Sequence, residues 1–145
     1  MARNKELNQR MKDERREQIL SKALMLYATK GLAATKITDI SKAAGISQGL
    51  LYHYFKSKEE IFVELIGIAF ARMNEACRWL ERQTLSPKEK IELAIRELLK
   101  LLDQNEDAAR YHLLIAQATA SDSIPEEAKA IIKKKTHIHM KPLLG

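Results

Sequence analysis

Cysteine is nearly missing from this chain of 145 residues: Cys77 stands alone. An intramolecular disulfide and a cysteine-built zinc cluster are both excluded. Glycine and proline are scarce, at five and three, so little interrupts helix formation. Sustained alternation of apolar and polar residues is absent too, which argues against strands. No apolar run approaches the roughly 20 residues of a membrane span, and no charged-then-apolar leader opens the chain. A cytoplasmic protein without a membrane partner is expected. The four histidines form neither a metal-ligand spacing nor a nucleophile–base pair. His137 and His139 lie two apart, a poor pair for one helix face. No phosphate-cradling glycine loop appears. An enzyme, a cofactor and a metal site are therefore not expected.

What is present is an uneven charge. The formal net charge is +6. Residues 1–58 carry twelve Lys/Arg against five acids, and the remainder thirteen against fourteen. A merely soluble basic surface would spread that excess along the chain. Its concentration in one part points to a polyanion-facing module joined to a near-neutral body.

Residues 1–12 are polar and basic without an apolar stripe, and read as a flexible arm, either a solvated tail or a DNA-touching segment. From Asp13 to Lys30, Ile19, Leu20, Ala23, Leu24, Leu26 and Tyr27 recur at helical spacing and predict a scaffold helix closed by Gly31. The next helix begins near Lys36 or Ile37. Asp39 is placed to bond back to the cap amide, and Thr35 and Lys36 compete as the cap. Gly45 falls where that helix must stop in a left-handed turn. Ser47 is a good N-cap for a short helix over Gln48–Tyr54. Ile40, Ile46, Leu51 and Tyr54 are its apolar anchors, and Gln48, Gly49, Tyr52 and His53 are left outward, with Leu50 at the border.

Ser57 and Glu60 open a long helix to about Arg82, whose apolar stripe is long enough to serve two bodies. Ser86-Pro87-Lys88-Glu89 opens another, carrying Ile91, Ala94, Ile95, Leu98, Leu99 and Leu102. Asn105–Asp107 is a break before a helix over about Ala108–Ala120. Ser123-Ile124-Pro125-Glu126 opens the last, with a thin face of Ala128, Ile131, Ile132 and Ile138, and the chain stops at Pro142-Leu143-Leu144-Gly145. The expected fold class is all-α. An N-terminal three-helix domain with a helix-turn-helix (13–58) joins, through a long fourth helix, a partial helical domain (59–145).

The short helix over Gln48–Tyr54 has chemistry suited to the DNA major groove, which accepts a helix. Gln48 offers a paired donor and acceptor to adenine, and Leu50 an apolar contact to a thymine methyl. Gly49 admits the backbone close to a phosphate. Tyr52 and His53 donate to phosphate oxygens, and Lys58 adds charge nearby. The alternative, an ordinary aromatic core cluster, suits Tyr54 and Phe55. It does not suit Tyr52 and His53, which cannot share the face of Leu51 and Tyr54 on so short a helix.

The stretch ITDISKAAGISQGLLYHYFKSKEEIF resembles the DNA-binding signature of the tetracycline-repressor (TetR/AcrR) family, over about Glu14 to Ile66. The resemblance implies a homodimer setting two recognition helices on a pseudo-palindromic operator in double-stranded DNA. It also implies a helical C-terminal domain that binds a small-molecule effector and releases DNA. Thr38, Ser47, Gln48, Gly49, Tyr52, His53 and Lys58 match positions that contact DNA in that family. Lys36 stands where the family usually has threonine or serine, so it keeps only a phosphate role. Leu50 replaces a common threonine. The family's two further long helices, which build the dimer's bundle, lie beyond this sequence, so an incomplete effector-binding and dimerisation domain is expected, with a homodimer if that domain is completed. A different class of function, a helical ligand-binding or interaction module without productive operator binding, follows if those helices are missing. Met73, Cys77, Trp79, Tyr111 and His112 are candidates for an effector pocket, and core packing explains the apolar ones as well.

Overall fold

The computed structural model describes the backbone over residues 1–140 and side chains over residues 1–134. Expectations about His137, Ile138, His139 and the Pro142–Gly145 terminus lie outside the described side chains. Every described element is a helix: α1 (Ala2–Ala34), α2 (Ile37–Ala44), α3 (Gln48–Tyr54), α4 (Lys58–Glu81), α5 (Pro87–Gln104), α6 (Glu106–Ala120) and α7 (Glu126–Met140). They fall into two compact units that divide after Phe62.

In the first unit the apolar stripe of α1 forms the core, with Ile19, Ala23, Leu24 and Tyr27 fully buried. Ile40 of α2, Leu51 of α3, and Phe55 and Ile61 are buried with them. Tyr27 meets Phe62 edge-to-face at 5.7 Å, a geometry favoured by the ring quadrupoles. Tyr27 also donates its hydroxyl to the Lys58 carbonyl at 2.6 Å, so its polar tip is satisfied inside the core. Burial, with Glu59 close by, pushes that phenol's pKa well above its ordinary value.

Two sequence expectations are corrected here. Residues 2–12 are helical and exposed, continuous with the scaffold helix, rather than an irregular arm. Between Ala2 and Lys30 there is neither glycine nor proline, and Glu, Lys, Arg, Gln and Met propagate a helix without needing a buried stripe. After Leu51 the second anchor is Phe55, the C-cap residue of α3, rather than Tyr54: Phe55 is buried and Tyr54 half-buried, since i, i+4 from Leu51 returns to the same face as well as i, i+3 does.

In the second unit the rest of α4 is followed by α5, α6 and α7. Ser86 and Glu89 close a full capping box, with Glu89 N–H on Ser86 Oγ at 3.3 Å and Ser86 N–H on Glu89 Oε2 at 2.8 Å. Asn105 ends α5 and also caps α6, its Oδ1 accepting the Ala108 N–H at 3.1 Å, so the break is one residue and α6 starts at Glu106. Leu114, Ala118 and Ala128 are buried. No residue of α5 is buried, and Ile91, Ile95 and Leu99 are more than half exposed.

Candidate nucleic-acid interface and ligand cavity

The turn between α2 and α3 is built by Gly45 at φ 67°, ψ 32°. Gly45 N–H bonds to Lys42 O at 3.1 Å and Ile46 N–H to Ser41 O at 3.0 Å, the paired bonds of a Schellman motif. A side chain at that φ is strained even though space is open there. Ser47 then caps α3, its Oγ accepting the Leu50 N–H at 3.1 Å. The hydroxyl hydrogen of Ser47 stays available to an outside acceptor.

At the start of α2 the competition between Thr35 and Lys36 is resolved. Lys36 is the N-cap residue and Asp39 Oδ2 accepts its N–H at 2.9 Å. Thr35 is fully buried and turns its hydroxyl onto Gly31 O at 2.6 Å. Asp39 also pairs with Lys30 at 3.1 Å. The Lys36 amide, then the Lys30 ammonium, hold the Asp39 carboxyl below the usual carboxylate range. A depressed folded pKa contributes stability that is complete above the unfolded value and is lost as pH falls through the folded one. The thermal midpoint of Asp39→Asn should therefore lie below wild type at neutral pH, with the gap closing as pH falls past 3.8. A gap that is the same at both ends of a pH series contradicts this role.

Of the sequence-predicted contacts, the side chains of Lys36, Thr38, Ser47, Gln48, Tyr52 and His53 are exposed. Gly49 is exposed and Leu50 half-buried. Tyr52 is 51% exposed although it is an aromatic that follows the fully buried Leu51. An added Cβ at Gly49 would meet nothing within 4 Å.

Lys58 is placed differently. Its ammonium donates to Leu32 O at 2.9 Å, Ala33 O at 3.3 Å and Thr35 O at 2.9 Å. All three of its donors are directed at carbonyls of the chain between Gly31 and α2. Gly31, at φ 80°, ψ 166°, kinks α1 just before them, and Leu32 O also accepts the Thr35 N–H at 3.2 Å. At the start of α4, Ser57 Oγ accepts the Glu60 N–H at 3.1 Å, but Glu60 reaches back to Lys56 N–H at 2.6 Å rather than to Ser57.

The five pocket candidates meet in one cavity of the second unit, of about 280 Å³, whose wall includes Met73, Cys77, Trp79, Tyr111 and His112. Sequence reading did not single out Arg72, Glu97 and Asn105 in the same wall, because exposed polar residues on a helix carry no periodic signal. His112 Nδ1 lies 2.8 Å from Ala108 O. Burial pushes the Cys77 thiol up, with Glu81 adding to it, which favours the protonated form. No described helix is long and apolar enough to cross a membrane.

Comparison with known proteins places this geometry. Residues 19–65 match the family of bacterial regulatory proteins, tetR family. Over 102 residues the chain is 30% identical to the HTH-type transcriptional regulator AcrR of Shigella flexneri, a span of 70% of this chain and 46% of AcrR. It is 46% identical over 52 residues to the HTH-type transcriptional repressor KstR2 of Mycolicibacterium smegmatis, covering 36% of this chain and 25% of that protein. A TetR-family regulator from Bordetella parapertussis 12822 has a similar fold, with a TM-score of 0.71 at 27% identity over 85% of this chain and 62% of the other. The chain thus spans less than half of AcrR and less than two thirds of the Bordetella protein. The matched segment contains the whole of α2, the Gly45 turn and α3, and it is this segment that matches the tetR family of bacterial regulatory proteins.

Proposed function

We propose that the chain is a sequence-specific DNA-binding transcriptional regulator, a repressor released by a small-molecule effector. The observation that carries this reading is the outward face of α3. Gln48, Tyr52 and His53 are exposed there, and no described hydrogen bond or ion pair engages their side chains. Polar and aromatic groups left together on a capped helix, in a unit whose net charge is strongly positive, fit a major groove. Gln48 reads a base edge, and Leu50 presses on a thymine methyl. Lys36, Thr38, Ser47, Tyr52, His53 and the Gly49 backbone hold phosphates and set register. Lys58 leaves that set, because carbonyls already occupy its ammonium.

The partner is double-stranded DNA with two-fold related half-sites, bound by a homodimer in the cytoplasm. Half-site centres then lie one helical turn apart, about 34–36 Å. The effector occupies the cavity along α4, and α4 begins in the DNA-facing unit and continues into the unit that holds the cavity. Ligand in the cavity acts on the recognition helices through that helix.

Selection of bound duplexes from a random pool tests the reading. Wild type should enrich a pseudo-palindrome, and Gln48→Ala should relax preference at one base pair per half-site, at a cost of about 1–3 kcal/mol for that pair. No enrichment over input would sink the proposal.

A further inference from the structure

Resting on the effector reading, the cavity's own chemistry narrows what fills it. Its wall is apolar over most of its extent, with Met73, Ala76 and Leu80 of α4, Leu98 of α5 and Ile115 of α6. Two charged side chains interrupt it, Arg72 and Glu97. They are not equivalent. The Arg72 guanidinium carbon lies 4.8 Å from the centroid of the Tyr111 ring, and Tyr111 lines the same cavity. A ring face holds the planar guanidinium in one orientation and leaves its N–H edge open to a planar acceptor. None of the described ion pairs involves Arg72. Glu97 has no described contact that orients it, so fixing it on a ligand costs side-chain entropy that Arg72 has largely lost already.

We propose that the cavity binds an amphipathic organic anion: an apolar body against the Met73, Leu80, Leu98 and Ile115 wall, with its anionic head on Arg72 above the Tyr111 ring. The pre-set guanidinium favours a carboxylate or a similar oxyanion, with two parallel N–H···O bonds. An apolar body that shields these bonds from water strengthens them. A neutral ligand of the same shape keeps the apolar contacts and loses the head-group contact. A cationic one faces Arg72 at close range.

Trp79 is the chain's single tryptophan and lines this cavity, so its fluorescence reports occupancy without any DNA present. The probes are decanoate, decanol and decylamine, which share one chain and differ in the head. Decanoate should bind about tenfold or more tightly than decanol, a difference typical of one charge-assisted contact, and decylamine should be the weakest. Arg72→Met should bring decanoate level with decanol and leave decanol binding where it was. Tyr111→Phe keeps the ring and should keep the preference. Arg72→Lys retains the charge without the planar fork and should hold an intermediate preference, a readout that survives if Arg72→Met fails to fold. Equal binding of decanoate and decanol by wild type overturns the proposal. So does decylamine binding most tightly, Trp79 responding to none of the three, or Arg72→Met keeping the full preference. Because no operator enters the measurement, these outcomes leave DNA binding standing, and loss of operator binding would leave the Trp79 result standing.

Discussion

Lys58→Met is expected to destabilise the protein by about 2–3 kcal/mol, since it removes the charged donor from the Leu32, Ala33 and Thr35 carbonyls. Those carbonyls close α1 after its kink at Gly31, where the last acceptors of a helix lack their full set of intrahelical donors. A cation at a helix C-terminus also relieves the partial negative charge there. The lysine opens α4, so its side chain ties the α1–α2 connection to the start of α4, while Tyr27 ties α1 to the Lys58 carbonyl. The recognition helix lies in the chain between these two attachments. Urea unfolding monitored by circular dichroism gives the stability. The same variant separates a structural lysine from a phosphate-contacting one. Loss of one phosphate contact lowers the slope of log K against log salt by about 0.9. A lysine engaged with carbonyls leaves the slope of the folded variant unchanged. Lys58→Arg should recover only part of the stability, because a planar fork does not direct its donors at three carbonyls as an ammonium does. Unaltered stability together with a reduced slope would return Lys58 to the DNA-contacting set.

Gly49→Ala is expected to move two quantities in opposite directions. Alanine is the better helix former by roughly 0.5–1 kcal/mol, and its Cβ has open space at this position. Gly49 is not a positive-φ glycine, so the fold itself gives no reason for it. The proposed DNA-binding role supplies a reason outside the chain, the close approach of backbone to phosphate at the N-terminal end of α3. The variant should be as stable as wild type or slightly more so, and should bind operator about tenfold or more weakly, the effect of losing roughly 1.4 kcal/mol of contact. Thermal unfolding and a fluorescence-anisotropy titration of labelled duplex read the two quantities on one preparation. Wild-type affinity in the variant would remove Gly49 from the interface.

Much of this architecture is legible in the chain before any coordinates. Gly45 announces its turn because a left-handed position between two helices selects glycine, and Ser47 announces α3 because a hydroxyl satisfies an orphan amide there. Ser86 and Glu89 are readable for the same reason. Such signals are local, set by residues three or four apart. The carbonyl contacts of Lys58 were out of reach because those partners lie 23 to 26 positions away, and main-chain acceptors leave no mark in a sequence. Thr35 was one of two possible caps until Gly31 O captured its hydroxyl. The helix over residues 2–12 escaped because a search for apolar periodicity passes over a helix that buries nothing. Arg72 was missed for a related reason. Its partner Tyr111 lies on another helix, and only the fold brings them together.

Whether α3 reads DNA sequence is decided by one titration. Binding of the chain to the duplex upstream of its own coding region is measured across a salt series, against a scrambled duplex of equal length and composition. The expected result is a steep fall of log K with log salt on both duplexes, as phosphate contacts require, together with a wide preference for the native one, on the order of 10³ or more. Equal affinity for the two duplexes, or binding that ignores salt, would contradict it.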